Sequence, residues 1–349
     1  MPLMFKFLFR PKIEISRELK TKDVVERIGV ITARKVKLIR YPIDRPVTIF
    51  NPSISIEDSE VIIYGRIILG YFTYASAVAE FTFPLECLYS KDITALEHNA
   101  EITVLPDNKY DLWGVEDPRV YTIKGKKLMT YCGRTVNYFN PSIRMERTLP
   151  VTAVRENKKW RKICVFKFPE ELKEYIISDK DAFLADTKEG LRLFHRPHLT
   201  DEKFYLVISE LSKNPLELRK FEEVYVKKTR LVIDNANFEE KVGWGTPPVK
   251  VGKEYVLLLH GVERETKCYR VFAMLMDENA RVTAVTPCYI MEPRENYEVY
   301  GDRPFTVFPC GAEIIDDDLI VTYGAADSAI GIGKIDISEL MSILESGRI

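Results

Sequence analysis

Glu116 and Asp117 stand side by side in Gly114-Val115-Glu116-Asp117-Pro118-Arg119, and an arginine follows two residues after the second carboxylate. Two carboxyl groups and a guanidinium this close can move a proton, grip a polar ligand or simply neutralise one another. Pro118 disfavours helix at Asp117 and pushes it towards extended backbone. Neighbouring side chains of an extended strand point to opposite faces. The expectation is that Glu116 and Asp117 do not share a site, whereas Asp117 and Arg119 face the same way. Alone, the stretch reads first as a surface turn closed by a salt bridge, as most Glu-Asp-Pro stretches would. Four further stretches of related form change its standing.

Phe50-Asn51-Pro52, Glu116-Asp117-Pro118, His195-Arg196-Pro197, Thr246-Pro247-Pro248 and Val307-Phe308-Pro309 each lead into a short extended run and a polar turn. Longer apolar runs follow at 61–66, 128–134, 204–209, 255–261 and 319–324. Short β runs divided by turn residues are hairpins. Pro52, Pro118, Pro197, Pro248 and Pro309 are separated by 66, 79, 51 and 61 residues. Self-similarity on that scale predicts a propeller or array, and a blade of four strands leaves room for two more in each interval. The fold read from this pattern is all-β, a five-bladed β-propeller with uneven insertions between blades.

A hairpin brings the start of its first strand beside the end of its second, away from the turn. With the hairpins as inner strands of blades, their open ends gather at one mouth of the central channel. Asn51 and Arg66, Asp117 and Arg134, His195 and Arg196, Trp244 and His260, and Asp327 fall there. A concave place with a few converging polar groups is where a ligand is expected.

The 349 residues are 46% hydrophobic, ample for a buried core. A net charge of −1 argues against a nucleic-acid partner. Cysteines at 87, 132, 164, 268, 288 and 310 show no C-x-x-C spacing and no metal-binding pattern, and are read as reduced thiols. Residues 1–10 are interrupted by Lys6 and too short for a signal core, and no run of 18 apolar residues predicts a membrane span. A soluble, cytoplasmic protein is expected. Residues 1–40 are assigned to an N-terminal extension that helps close the propeller, and 41–349 to the propeller, ending in a short helix at 338–344. Locally, 21–27 and 169–177 are expected as helical, 34–40 and 269–276 as strands.

Taken in order, several motifs resemble glycoside hydrolase family 130, the β-mannoside phosphorylases and related mannosidases, over roughly residues 45–345. They are Gly114–Arg119, Lys180-Asp181, His195-Arg196-Pro197, Gly243-Trp244-Gly245-Thr246-Pro247-Pro248, His260-Gly261-Val262, Tyr269-Arg270, Tyr297-Glu298, Phe308-Pro309-Cys310-Gly311 and Tyr323-Gly324-Ala325-Ala326-Asp327. The resemblance implies a five-bladed propeller that takes a β-mannoside oligosaccharide and inorganic phosphate as co-substrate, without a cofactor. The product would be α-mannose 1-phosphate, formed with inversion. Inverting cleavage needs an acid for the leaving oxygen and a nucleophile on the opposite face; with phosphate as nucleophile, no second carboxylate is required as base. By resemblance Asp117 is the acid, acting through a hydroxyl of the mannose, while Asn51, Arg66 and Asp327 hold that mannose. Lys180, Arg196 and His260, with Arg134, are the phosphate-binding candidates.

Each assignment has a plainer counterpart. Asn51 could cap the turn before Pro52, Trp244 could fill the channel rather than stack on a sugar, and His195 and His260 could be satisfied inner-strand histidines. Arg66 and Arg134 share one repeat position, consistent with a common structural role. The segment 67–72 lacks the further basic residue often found there in family phosphorylases, whereas 134–147 carries Arg134, Arg144 and Arg147. Two other functions therefore stand beside the phosphorylase: a hydrolase with Asp327 or Glu116 as base, and a carbohydrate-binding propeller without catalysis. Oligomeric state, homo-oligomers included, is left open.

Overall fold

The computed structural model describes residues 15–90 and 92–349. The first strands are β1 (Glu26–Thr32) and β2 (Val36–Leu38), followed by a run of β3 (Thr48–Glu57), β4 (Glu60–Ile68), β5 (Ser76–Pro84) and β6 (His98–Val104). A second run holds β7 (Val115–Ile123), β8 (Lys126–Arg134), β9 (Thr148–Glu156) and β10 (Lys159–Lys167). A third holds β11 (Ile176–Thr187), β12 (Gly190–Leu199), β13 (Leu206–Leu211) and β14 (Glu222–Ile233). The fourth comprises β15 (Glu239–Trp244), β16 (Val249–Val251), β17 (Glu254–Glu263), β18 (Tyr269–Met276) and β19 (Val282–Val285). The last is β20 (Val307–Ile315), β21 (Asp318–Ala325) and β22 (Ala329–Asp336), flanked by the helices α1 (Asn296–Val299) and α2 (Ile337–Glu345).

Within each run strands pair antiparallel, in chain order except in the fourth, where β15 and β16 both pair with β17. The last run gains its outer strand from the other end of the chain, because β1 pairs antiparallel with β22. β10 and β14 pair in parallel, so the second and third runs merge into one eight-stranded sheet. The first strands lie against one another in a circuit: β3 on β7, β7 on β11, β11 on β15, β16 and β17 on β20, and β20 back on β3. The arrangement is all-β and propeller-like.

The core lies between adjacent sheets. Phe183, Phe194, Trp244, Leu257 and Phe272 pack between the third and fourth runs, and Ile49, Ile63, Ile31 and Ile330 between the first and last. Strands covered on both faces need apolar side chains on both, which is why so many of these runs read as nearly continuous Val, Ile, Leu and Phe.

Local expectations fare unevenly. The strand at Tyr269–Met276 is present, and the C-terminal helix runs Ile337–Glu345, its N-cap Asp336 accepting from the Glu339 N–H at 2.9 Å. Residues 169–177 form only a 3₁₀ turn, Glu170–Tyr175. Residues 21–27 are not helical: Thr21 bridges to Tyr289, and β1 begins at Glu26. In 34–40, a 3₁₀ turn precedes the three-residue β2.

The third repeat is displaced from its expected place. His195-Arg196-Pro197 lies in β12, the second strand of its run. The first strand is β11, and the residues corresponding to Asn51-Pro52 and Asp117-Pro118 are Asp181-Ala182. With that correction the repeat falls at Pro52, Pro118, Ala182, Pro247 and Pro309, in steps of about 62–66 residues.

Candidate functional site

The first strands share one irregularity. Register slips between Phe50 and Ser53 in β3, Glu116 and Arg119 in β7, Lys180 and Phe183 in β11, and Pro309 and Gly311 in β20. In the fourth run the N–H groups of Gly245 and Thr246 both donate to the Leu258 carbonyl. These are β-bulges, which bend a strand and re-aim its side chains. Asn51, Asp117 and Asp181 occupy them with φ of 45°, 51° and 50°, a region that Asn and Asp tolerate better than most residues.

The bulge overturns the expected alternation around Asp117. Glu116 and Asp117 both line one cavity of about 550 Å³ and both bind Arg66. Arg119 does not pair with the Asp117 carboxylate. It is buried, donating to the Gly245, Trp244 and Asp117 carbonyls at 2.7, 2.8 and 3.1 Å and reaching Asp181 Oδ1 at 3.4 Å. One guanidinium thereby ties three bulges together around the channel.

Charge in the cavity is organised on two buried carboxylates. Glu116 Oε1 accepts from Arg66 Nη2 at 2.9 Å and Arg134 Nε at 2.8 Å, and Lys180 Nζ lies 3.4 Å from Oε2. Burial pushes the Glu116 carboxyl up, but Arg134, Arg66 and Lys180 outweigh it and hold the group well below the usual carboxylate range. Asp181 accepts from Arg196 Nε at 2.5 Å; there too burial is overcome, by Arg196, His260 and Arg119, and the carboxyl stays low. Asp117 Oδ1 accepts from Asn51 Nδ2 at 2.8 Å and Arg66 Nη1 at 3.0 Å. Gly324 leaves the space that Asn51 fills: a Cβ there would sit 1.7 Å from Asn51 Oδ1.

Seven of the nine residues singled out from sequence line this cavity: Asn51, Arg66, Asp117, Arg134, Lys180, Arg196 and Asp327. Asp327 is half-buried, and burial, opposed by Arg66 and Arg303, raises its carboxyl to about 6. Trp244 and His260 do not line it. Trp244 is fully buried between the third and fourth runs, edge-on to Phe183 and Phe194, with Nε1 donating to the His195 carbonyl at 3.1 Å. It fills the core and presents no ring to a sugar. His260 is fully buried with Nε2 3.4 Å from Asp181 Oδ2, and burial lowers its imidazole well below 6.5, so it is a neutral neighbour of Asp181 and not a cation for phosphate. Gly243 makes room for that pair, because a Cβ would meet the His260 ring at 2.4 Å.

Other motif residues are structural. His195 Nδ1 bonds Asp179 at 2.7 Å and Nε2 bonds Ser209 Oγ at 2.8 Å, a Ser-His-Asp order with no exposed surface on any of the three to admit a substrate. Glu298 anchors β1 and α1: it accepts from Arg27 Nε at 3.1 Å, Tyr323 Oη at 2.6 Å and the Arg294 and Glu295 N–H groups.

The missed residue of most consequence is Lys241, a lining cation in β15 lying 4.8 Å from the Phe204 ring and 5.6 Å from Tyr269. Burial, then Arg196 and Arg303, lower its ammonium to about 7. Only its place two residues before Gly243-Trp244-Gly245 could have drawn attention to it. Asp302, Arg303, Tyr74, Tyr138 and Phe139 also line the cavity from loops that carry no repeat signal. Among the described residues, no cluster of His, Cys, Asp or Glu is arranged to hold a metal ion, and no helix is long and apolar enough to cross a membrane.

The chain matches the glycoside hydrolase family 130 pattern, described as beta-1,4-mannooligosaccharide phosphorylase, over residues 15–346. It is 26% identical over 320 residues to a beta-1,2-mannobiose phosphorylase of Thermoanaerobacter sp. (strain X514), covering 87% of this chain and 97% of that one. A 1,2-beta-oligomannan phosphorylase of the same organism is 27% identical over 239 residues, covering 67% and 72%. Among solved structures, the beta-1,2-mannobiose phosphorylase of Listeria innocua, in complex with beta-1,2-mannobiose, superposes with a TM-score of 0.69 at 20% identity, over 92% of this chain and 99% of that one.

Proposed function

Since the chain belongs to glycoside hydrolase family 130, we propose that it is a β-mannoside phosphorylase built as a five-bladed propeller, with Asp117 as general acid. The circuit of first strands and the five bulges support the blade count. The observation that carries the chemistry is that one cavity holds Asp117, clamped by Asn51 and Arg66, together with Asp327 and the cations Arg134, Lys180, Arg196 and Lys241.

Asn51, Arg66 and Asp327 offer an amide, a guanidinium and a carboxylate to the hydroxyls of a terminal mannose. Phosphate, carrying between one and two negative charges, suits the cations Arg134, Lys180, Arg196 and Lys241, whose planar guanidiniums grip two oxygens and whose lysines add point charges. A phosphate oxygen attacks the anomeric carbon as the bond to the leaving sugar breaks. Asp117 passes its proton, through a mannose hydroxyl, to the departing oxygen. Attack opposite the leaving group inverts the centre and gives α-mannose 1-phosphate. Glu116 is unsuited to act as a base, because its carboxylate is held by Arg66 and Arg134 with Lys180 close by.

One observation favours a second reading. Asp327, raised to about 6, is a base of useful strength near neutrality and would serve a hydrolase. A panel of β-mannosides, with and without phosphate, decides between them. The phosphorylase forms mannose 1-phosphate only when phosphate is present; release of free mannose at the same rate without phosphate overturns that reading in favour of hydrolysis.

A further inference from the structure

Two lysines line the cavity, and their surroundings differ. Lys180 Nζ lies 3.4 Å from the Glu116 carboxylate. The Lys241 amine forms no ion pair and no hydrogen bond among the described residues. Its neighbours are two rings and two guanidiniums. Nζ stands 4.8 Å from the Phe204 ring centre and 5.6 Å from that of Tyr269. Arg196 lies 5.0 Å from the same Phe204 ring, and Arg303 4.5 Å from the same Tyr269 ring. All five side chains line the cavity. An amine thus shares each of two aromatic rings with an arginine. The backbone beneath it is fixed, because Lys241 pairs with Val262 in the β15–β17 ladder.

A primary amine is a nucleophile only when it is neutral. Burial strips water from the Lys241 ammonium, Arg196 and Arg303 repel it, and the group falls to about 7, with Glu240 and Asp181 opposing the shift more weakly. At neutral pH about half of these side chains are free amines. Lys180 is shifted the other way: burial works against its charge, but Cys132 and Glu116 outweigh burial and keep it an ammonium. Lysines desolvated beside another cation are the ones that form imines with carbonyl compounds. The arginines supply the second half of a site. A phosphate gripped by a guanidinium holds an aldehyde on the same molecule within this cavity, close to the free amine.

We propose that Lys241 is a site of reversible covalent modification by aldehydes that carry a phosphate, open-chain phosphorylated sugars among them. The Nζ lone pair attacks the carbonyl carbon to give a carbinolamine. The carbonyl oxygen then leaves as water with the two hydrogens of the amine, and a C=N bond stands where the C=O bond was. No oxidant or reductant is consumed. The adduct fills the cavity and shuts out its ligands, and hydrolysis restores the amine. The inference goes beyond the β-mannoside reading and does not depend on it.

The test uses the full chain and pyridoxal 5′-phosphate as probe. Imines are trapped with borohydride at pH 6, 8 and 9, and each lysine is mapped by mass spectrometry. The adduct is expected on Lys241 and not on Lys180. Labelling of Lys241 should rise about tenfold from pH 6 to pH 8 and then level off, whereas an ordinary lysine gains about a hundredfold over those two units and keeps rising. Inorganic phosphate should suppress the labelling. Pyridoxal, which lacks the phosphate, should label at least about tenfold more slowly, the loss of one charge-assisted contact. Lys241→Gln should abolish this adduct while surface labelling persists; the wild-type map stands without that variant. Label on Lys180 or on surface lysines alone overturns the proposal, as does a Lys241 rate that climbs with pH like that of an ordinary amine. Equal labelling by pyridoxal, or no protection by phosphate, also overturns it. The readout is the mass of one peptide, so each result bears on Lys241 whether or not turnover proves to require phosphate.

Discussion

Binding of inorganic phosphate at pH 8 should draw close to one proton from solution, and Lys241 is the group that takes it. In the structure its ammonium is lowered from 10.5 to about 7, by burial and then by Arg196 and Arg303. One pH unit above that value about nine in ten side chains are neutral, and each unit of displacement is worth about 1.4 kcal/mol. The displacement of roughly 3.5 units therefore places about 5 kcal/mol against the charged form. A phosphate dianion beside the amine removes much of that penalty, so the bound state holds Lys241 as ammonium. The sign follows: the Lys241 contribution to phosphate affinity is complete below about pH 7 and declines by up to about tenfold per unit above it. The same depressed value means the unfolded chain binds the proton more tightly, so this group makes the fold more stable as pH rises from about 7 towards 10.5. Isothermal titration in two buffers of different protonation enthalpy, at pH 6 and pH 8, counts the protons; Lys241→Gln is the control. An equal proton count in wild type and Lys241→Gln at pH 8 would refute the reasoning.

Asp117→Asn keeps shape and removes the proton donor, so turnover should drop about 10²–10⁴-fold while the thermal melt stays near that of wild type; near-normal turnover would take Asp117 out of the mechanism. Glu116→Gln strips Arg66, Arg134 and Lys180 of their shared counter-ion. Breaking a buried pair costs about 3–5 kcal/mol, so its denaturation midpoint should fall clearly, and an unchanged midpoint would show the network to be stability-neutral. Trp244→Ala should cost about 3–5 kcal/mol in the same measurement, with Trp244→Phe milder. A sugar-stacking role would show instead as a raised KM at unchanged stability.

Much of the framework could be read before any coordinates. Apolar runs divided by polar turns are strands by simple periodicity, and seven of the nine chosen residues line one cavity because hairpin geometry dictates which ends meet. Four things were hidden. Ala182 stands where the other runs place a proline, so the third repeat was sought one strand too late, at Pro197. The bulges were invisible because the restraint before proline points to extended backbone, whereas Asp117 adopts a φ of 51°. And alternation along a strand says which side a residue faces, not whether that side meets the channel or the next sheet, which is why Trp244 and His260 were misplaced. Lys241 escaped because it belongs to no recurring pattern; only three-dimensional proximity brings it to Arg196.

The pairing of β1 with β22 joins residues at opposite ends of the sequence, Glu26 with Lys334 among them. During synthesis β1 emerges first, yet the edge it must cover is made last. Until then the ring stands ajar, with β1 lacking its partner strand and the cavity lacking its wall from Asp302 to Asp327. An uncovered edge invites pairing with foreign chains, and contacts this distant in sequence form slowly. A chain stalled before β20 therefore holds Asp117 and Arg66 but not Asp327, and its cavity lacks that wall.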